Sequence, residues 1–244
     1  MKIPQLPFIF FFLLAGCVFG EPEKPGQTPA QDSPGKPDEK PKWELKQLAP
    51  GILGIGEIVL DTKKYLIHFP AVVNQVENLI EYAVVHNDGK THESLLRTTI
   101  SPYQLQVLLL LAKAQKFKES LPEFDATGRE APPAIPRPKH RIQILVQDLR
   151  DKKNPMVPLG NWILNVDDGK PMQEKPWMYT GSVISQEGQF VAEMDGDIVA
   201  VYLNPVAIFN SWIPGSNNDE SWIPHRERVP PLGTPVRVIL KFPK

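Results

Sequence analysis

Along this chain the apolar residues gather into short runs broken by turn-forming residues, a pattern that predicts strands rather than long helices. Ile58-Val59-Leu60 and Tyr65 to Phe69 flank Asp61-Thr62-Lys63-Lys64 and predict a hairpin whose second strand ends at Pro70. Leu79 to His86 and Thr91 to Thr99 flank Asn87-Asp88-Gly89-Lys90. Asp-Gly between two such runs predicts a second hairpin with a two-residue turn. Further strands are expected at Arg141 to Gln147, Met178 to Ser185, Gln189 to Met194, Ile198 to Leu203 and Val236 to Phe242. Asp195-Gly196-Asp197 then reads as the turn between two of them.

One segment follows a helical rule instead. Ser101-Pro102-Tyr103-Gln104 places serine at the N-cap, proline at the first helical position and glutamine at the third, a capping-box arrangement. Leu105 to Phe117 carries apolar residues on nearly every face, as a buried helix does. Residues 122–138 hold five prolines and read as a surface crossing. The expected fold class is α+β: a mostly antiparallel β-sheet packed around one buried helix at about 102–117.

The N-terminus carries a different signal. Lys2 precedes the apolar run Leu6 to Ala15, whose length suits the core of a signal peptide and is too short for a membrane span. Leu14-Ala15-Gly16-Cys17 follows directly and matches the bacterial lipobox, in which the cysteine thiol receives a diacylglyceryl group before cleavage. Two or three acyl chains on one residue give stable anchoring. Residues 21–42 contain Ala30 as their one apolar residue and six prolines among charges of both signs, so they read as a disordered tether. The expected organisation is a lipoprotein signal peptide at 1–16, lipidated Cys17 with its tether to residue 50, and a single globular domain at 51–244. Val18, where aspartate would resemble an inner-membrane retention signal, implies the outer membrane facing the periplasm.

Composition removes several classes. A formal net charge of -1 over 244 residues argues against nucleic acid as a partner, because a phosphate-binding surface shows as a basic excess. A single cysteine rules out a disulfide framework and a four-thiolate zinc site within one chain.

A set of motifs then points to a family. It comprises Asn74 with Leu79-Ile80-Glu81-Tyr82, Gly89-Lys90-Thr91-His92-Glu93-Ser94-Leu95-Leu96 and Ser101-Pro102-Tyr103. It continues with Pro176-Trp177-Met178-Tyr179-Thr180-Gly181-Ser182, Gly196-Asp197-Ile198-Val199-Ala200, Asp219-Glu220 and Val229 to Val236. In this order they resemble the YdjY-type domain of bacterial envelope proteins, from about Gly54 to Leu240. The resemblance implies one folded unit in the cell envelope and supplies no reaction.

The chemical candidates are few. On a regular hairpin, His86 shares a face with Glu93, a partial metal site without its third ligand. His92 shares the other face with Ser94, which would make a serine nucleophile and its base, oriented by Asp195 or Glu81. No Gly-x-Ser-x-Gly motif surrounds Ser94. Ser216 to Glu220 is rich in oxygen ligands, with Asp219 and Glu220 as binding candidates, but lacks a calcium-loop spacing and equally reads as a turn. Trp177, with Trp162, Trp212 and Trp222, could pack in the core or form a sugar-stacking platform near Ser182. No cofactor is required, and a metal ion at His86 and Glu93 is the one these residues could hold. The expected function is a lipid-anchored envelope module that binds a protein or polymer without catalysis. The alternative is an envelope hydrolase or metal-binding protein using the His92-Glu93-Ser94 hairpin.

Overall fold

Alternation of apolar and polar residues closes this chain into a barrel. The computed structural model describes residues 43–117, 141–150, 155–172, 176–213, 216 and 218–243. Residues 1–42, with the expected signal segment, Cys17 and most of the tether, lie outside them, as does the proline-rich stretch 122–138. The strands run β1 (Lys46–Ala49), β2 (Ile52–Ile55), β3 (Ile58–Asp61), β4 (Leu66–Val73), β5 (Tyr82–His86), β6 (Ser94–Thr98) and β7 (Arg141–Asp148). They continue with β8 (Val157–Pro158), β9 (Ile163–Asn165), β10 (Trp177–Tyr179), β11 (Asp197–Ala200), β12 (Phe209–Ser211), β13 (Trp222–Pro224) and β14 (Pro235–Lys241). Helix α1 spans Pro102–Leu111 and the short α2 spans Val191–Asp195.

Neighbouring strands follow the circuit β4, β14, β7, β10, β12, β11, β5 and β6, and β6 pairs back onto β4. Eight strands therefore close on themselves, with β1, β2 and β3 continuing as a meander from β4. Inside, side chains from three strands meet at one level. Ile67, Leu240 and Ile144 lie opposite one another, and so do Phe69, Val238 and Val146. All six are buried in the main core, while their odd-phase neighbours face outward, the inside–outside period of any barrel strand. β9 and β13 pair separately.

The fold is thus mostly β, as the runs predict, but it is a closed barrel and not a sheet wrapped around a helix. Helix α1 begins where expected: Ser101 Oγ accepts the Gln104 N–H at 3.2 Å with Pro102 following the cap. Glu193 of α2 completes the cap, accepting from Ser101 Oγ at 2.9 Å and from the Tyr103 N–H at 2.8 Å. The helix stops at Leu111 rather than Phe117, because Lys113 adopts a left-handed φ of 54°. Ala114 N then bonds Leu109 O and Lys113 N bonds Leu110 O, a Schellman closure. Only one face of α1 is buried, through Leu105, Leu108 and Leu109; Tyr103, Leu110 and Leu111 stay exposed. The expectation of a helix buried on all sides is corrected here.

Pro70 does not end its strand. β4 runs through it because Thr98 Oγ1 donates to Pro70 O at 2.6 Å, on the side where β4 changes partner from β3 to β6. The missing N–H falls in that gap and costs no ladder bond. Gln189 to Met194 is not a strand, since α2 occupies it and Gly196 ends α2 with a left-handed φ of 76°. β10 stops at Tyr179, short of Ser185, because Gly181 and Ser182 both take left-handed backbone angles.

The largest departure is the second hairpin. β5 and β6 pair side by side in parallel, with Tyr82 opposite Ser94 and His86 opposite Thr98. Residues 87–93 carry the chain back along β5 through a turn and a single 3-10 turn at Thr91–Glu93. Parallel neighbours usually need a dozen or more connecting residues. This short return is held by Asn74, whose Nδ2 donates to Thr91 O at 2.5 Å and Ser94 O at 2.8 Å. Its far end is fixed by Asn87 N to Thr98 O at 2.9 Å and Arg97 to Asn87 Oδ1 at 3.1 Å.

Candidate functional site

The parallel return decides what His92, Glu93 and Ser94 can do. His92 lies on the 3-10 turn, 74% exposed, with Nε2 3.3 Å from Glu93 Oε1. Ser94 is fully buried and its Oγ donates to Leu96 O at 2.6 Å. The hydroxyl therefore has an acceptor in the barrel wall, and His92 pairs with Glu93 instead. His86 and Glu93 are also separated. His86 ends β5, whereas Glu93 sits beside its start, its carbonyl accepting Glu81 N at 2.9 Å. Five residue steps of strand, at ~3.3 Å each, separate Glu81, where Glu93 sits, from His86. They do not form one metal site. His86 Nδ1 instead accepts the Asp88 N–H at 3.2 Å. Among the described residues no group of three or more His, Cys, Asp or Glu side chains is arranged to hold a metal ion.

The tryptophans do not form a platform. Trp177 is 0% exposed, and Trp162, Trp212 and Trp222 are buried as well. Ser182 is buried, donating to Val206 O at 2.5 Å and accepting from Ala192 N at 3.2 Å. Asp219 and Glu220 are exposed, and Glu220 N bonds Asn218 Oδ1 at 3.0 Å, the local bond of an ordinary Asx turn.

The quoted motifs nevertheless meet, in the barrel wall rather than in a cleft. Thr180 Oγ1 donates to Ala207 O and accepts from Asn210 Nδ2 at 2.8 Å. Asn210 Oδ1 accepts Asn204 N at 2.6 Å, and Asn204 Nδ2 donates to Asp197 Oδ2 at 3.0 Å and to the Tyr82 hydroxyl at 2.8 Å. Tyr82 donates in turn to Asp197 Oδ2 at 3.1 Å. Lys90, carried over by the return loop, closes the chain with Nζ 2.8 Å from Asp197 Oδ2 and 5.0 Å from the Tyr82 ring centre. One hydrogen-bonded line thus runs from Thr180 to Lys90 through β12, β11, β5 and the loops beside them. The carboxylate of Asp197 is fully buried, and its Oδ1 has no partner among the described residues.

The electrostatics fit a fixed clasp. Desolvation works against the Lys90 ammonium, but the hydrogen bond and charge of Asp197 outweigh it and hold its pKa above the usual lysine value. Burial, the main cause, pushes both the Tyr82 and the Tyr202 hydroxyl well above the ordinary tyrosine range, so both stay protonated donors. At the rim, desolvation raises the Glu81 carboxyl, helped by the charges of Glu93 and Asp219 and opposed by a hydrogen bond from Tyr202. The charges of Glu93 and Asp219 thus act on Glu81, whereas Trp177 and Ser182 are buried apart.

Among the described residues, cavities open elsewhere as well. One of about 330 Å³ is lined by Val146, Asp148, Val157, Asn161, Trp162 and Arg228, among others. Asp148 there is tied bidentately to Arg150, with one contact of 2.7 Å. Another, about 230 Å³, lies between His86, Asp88, Pro102 and Glu193.

Lys90, Asp197, Asn204, Asn210 and Tyr202 escaped the sequence reading as site residues. Lys90 and Asp197 each follow a glycine inside a quoted motif, but a pairing across 107 positions leaves no local signal. No model of a known protein family, no curated protein and no solved structure matches this chain.

Proposed function

We propose that this chain is a lipid-anchored protein of the bacterial cell envelope, of YdjY type, whose folded part is a non-catalytic binding or structural module. The observation that carries this reading is the hydrogen-bonded line from Thr180 to Lys90, in which polar groups of four separate motifs are spent on one another inside the barrel wall. Ser94, the candidate nucleophile two residues after His92, is likewise committed to a backbone carbonyl. Anchoring is supported by Leu14-Ala15-Gly16-Cys17 directly after a ten-residue apolar run. The outer membrane is the surface that Val18 favours.

Fractionation of Cys17→Ser tests the anchor. The variant is expected to leave the membrane fraction or to accumulate unprocessed. Normal processing and wild-type fractionation of Cys17→Ser would remove the lipoprotein reading.

A further inference from the structure

We infer that the outer face of α1 is a shallow membrane-docking surface, resting on the same bilayer that would carry the lipid on Cys17; this rests on the anchored reading above. The helix uses Leu105, Leu108 and Leu109 for the core. Its opposite face keeps exposed apolar side chains: Tyr103, Leu110 and Leu111 are exposed by 43%, 64% and 44%, while Val107 between them is partly buried against the core. Such side chains are normally scattered singly on a soluble surface, and a continuous stripe marks an interaction face. Tyr103 extends it, with its ring 6.2 Å from Trp43 on one side and 6.2 Å from Phe190 on the other.

Two observations choose the occupant. The first is where the chain outside the described residues joins the fold. Trp43 is the first described residue and touches the stripe through Tyr103, so the chain that precedes it joins the fold at this face. Residues 21–42 carry Ala30 as their single apolar side chain and so offer this face no apolar counterpart in their sequence. The second is the order of residue types. Aromatic rings stand at one end of the stripe, leucines follow, and the exposed Lys113 comes just beyond, while Lys116 Nζ is turned to Ser182 O at 3.2 Å. Tyrosine and tryptophan settle at the headgroup level, leucine in the acyl boundary, and lysine against anionic headgroups. A tether of this kind reaches tens of Å at ~3.1 Å per residue and holds a weak binder at roughly millimolar local concentration. Shallow contact by a few side chains then suffices.

The test uses the processed chain, residues 17–244, carrying Cys17→Ser so that no acyl chain contributes. It is sedimented with vesicles of phosphatidylethanolamine and phosphatidylglycerol, alone and as the Leu110→Glu, Leu111→Glu double variant. The wild-type stripe should give partition at roughly millimolar lipid, and the double variant should lose it at least about tenfold while remaining monomeric and melting as before. If the double variant does not fold, the milder Leu110→Gln should show the same direction. Absence of vesicle binding by the chain with its stripe intact overturns the inference. So does a self-associating chain that the glutamates make monomeric, because the stripe would then cover a second copy. The probe carries no lipid, so its result is independent of whether Cys17 is acylated, which fractionation reads separately.

Discussion

Lys90 Nζ lies 2.8 Å from Asp197 Oδ2 and joins the loop between two parallel strands to the start of β11. The carboxylate is fully buried, whereas the lysine side chain is 38% exposed. Removing one partner of a fully buried pair costs about 3–5 kcal/mol because a bare charge remains inside. Solvent at the lysine end screens part of that. Lys90→Met should therefore cost about 2–3 kcal/mol in urea unfolding. Lys90→Met combined with Asp197→Asn should cost less than the two single changes summed, and simple additivity would show that the pair is not coupled.

Asn74 should matter for the same loop by a different route. Asn74→Ala strips the donors from two carbonyls, Thr91 O and Ser94 O. Leaving buried acceptors unpaired costs about 1–3 kcal/mol. Hydrogen exchange should speed up at residues 87–94 before the rest of the barrel. Unchanged protection there would show that the return is held by something else.

The return loop is also packed backbone against backbone. Gly196 has φ 76°, and a Cβ on it would stand 2.9 Å from Gly89 Cα and 3.1 Å from His86 Cβ. Neither neighbour is a flexible side-chain end. Gly196→Ala combines left-handed strain with that clash and should cost at least about 2 kcal/mol. A melting temperature within a degree of wild type would contradict the close approach.

Glu81 gives the pH prediction. Its folded pKa is raised, by desolvation first and then by Glu93 and Asp219. A carboxyl with a raised folded pKa favours folding fully below its unfolded value of 4.5, and that contribution is lost as pH rises through the raised value. Glu81→Gln should therefore melt slightly higher than wild type at pH 7, by about 1–2 °C given the exposure of the group. The difference should vanish near pH 4. A larger difference at pH 4 than at pH 7 would have the wrong sign.

These residues also mark how far the sequence could be read. Strand periodicity placed β3, β7, β14 and the first half of β4 well, because alternation is a local property of one barrel wall. The Ser101 cap was legible for the same reason. The β5–β6 pairing was not. Asp88-Gly89 is a strong local hairpin signal, but Asn74 and the Gly89–Gly196 contact, both distant in sequence, turn the chain back in parallel. With that, His86 and Glu93 moved to opposite ends of β5 and Ser94 went inside. Pairings such as Lys90 with Asp197 depend on barrel closure, which no short window contains.

The claim that His92, Glu93 and Ser94 serve the fold rather than a reaction is tested most directly by Glu93→Gln and Ser94→Ala. Each variant is measured for unfolding free energy and for rescue of a strain lacking the chromosomal copy. Ser94→Ala should lose about 1 kcal/mol, the ordinary net value of its bond to Leu96 O, and Glu93→Gln less. Both should restore the strain in proportion to the folded protein they leave. A Glu93→Gln protein that is stable, present at wild-type abundance and unable to restore the strain at all would contradict the account.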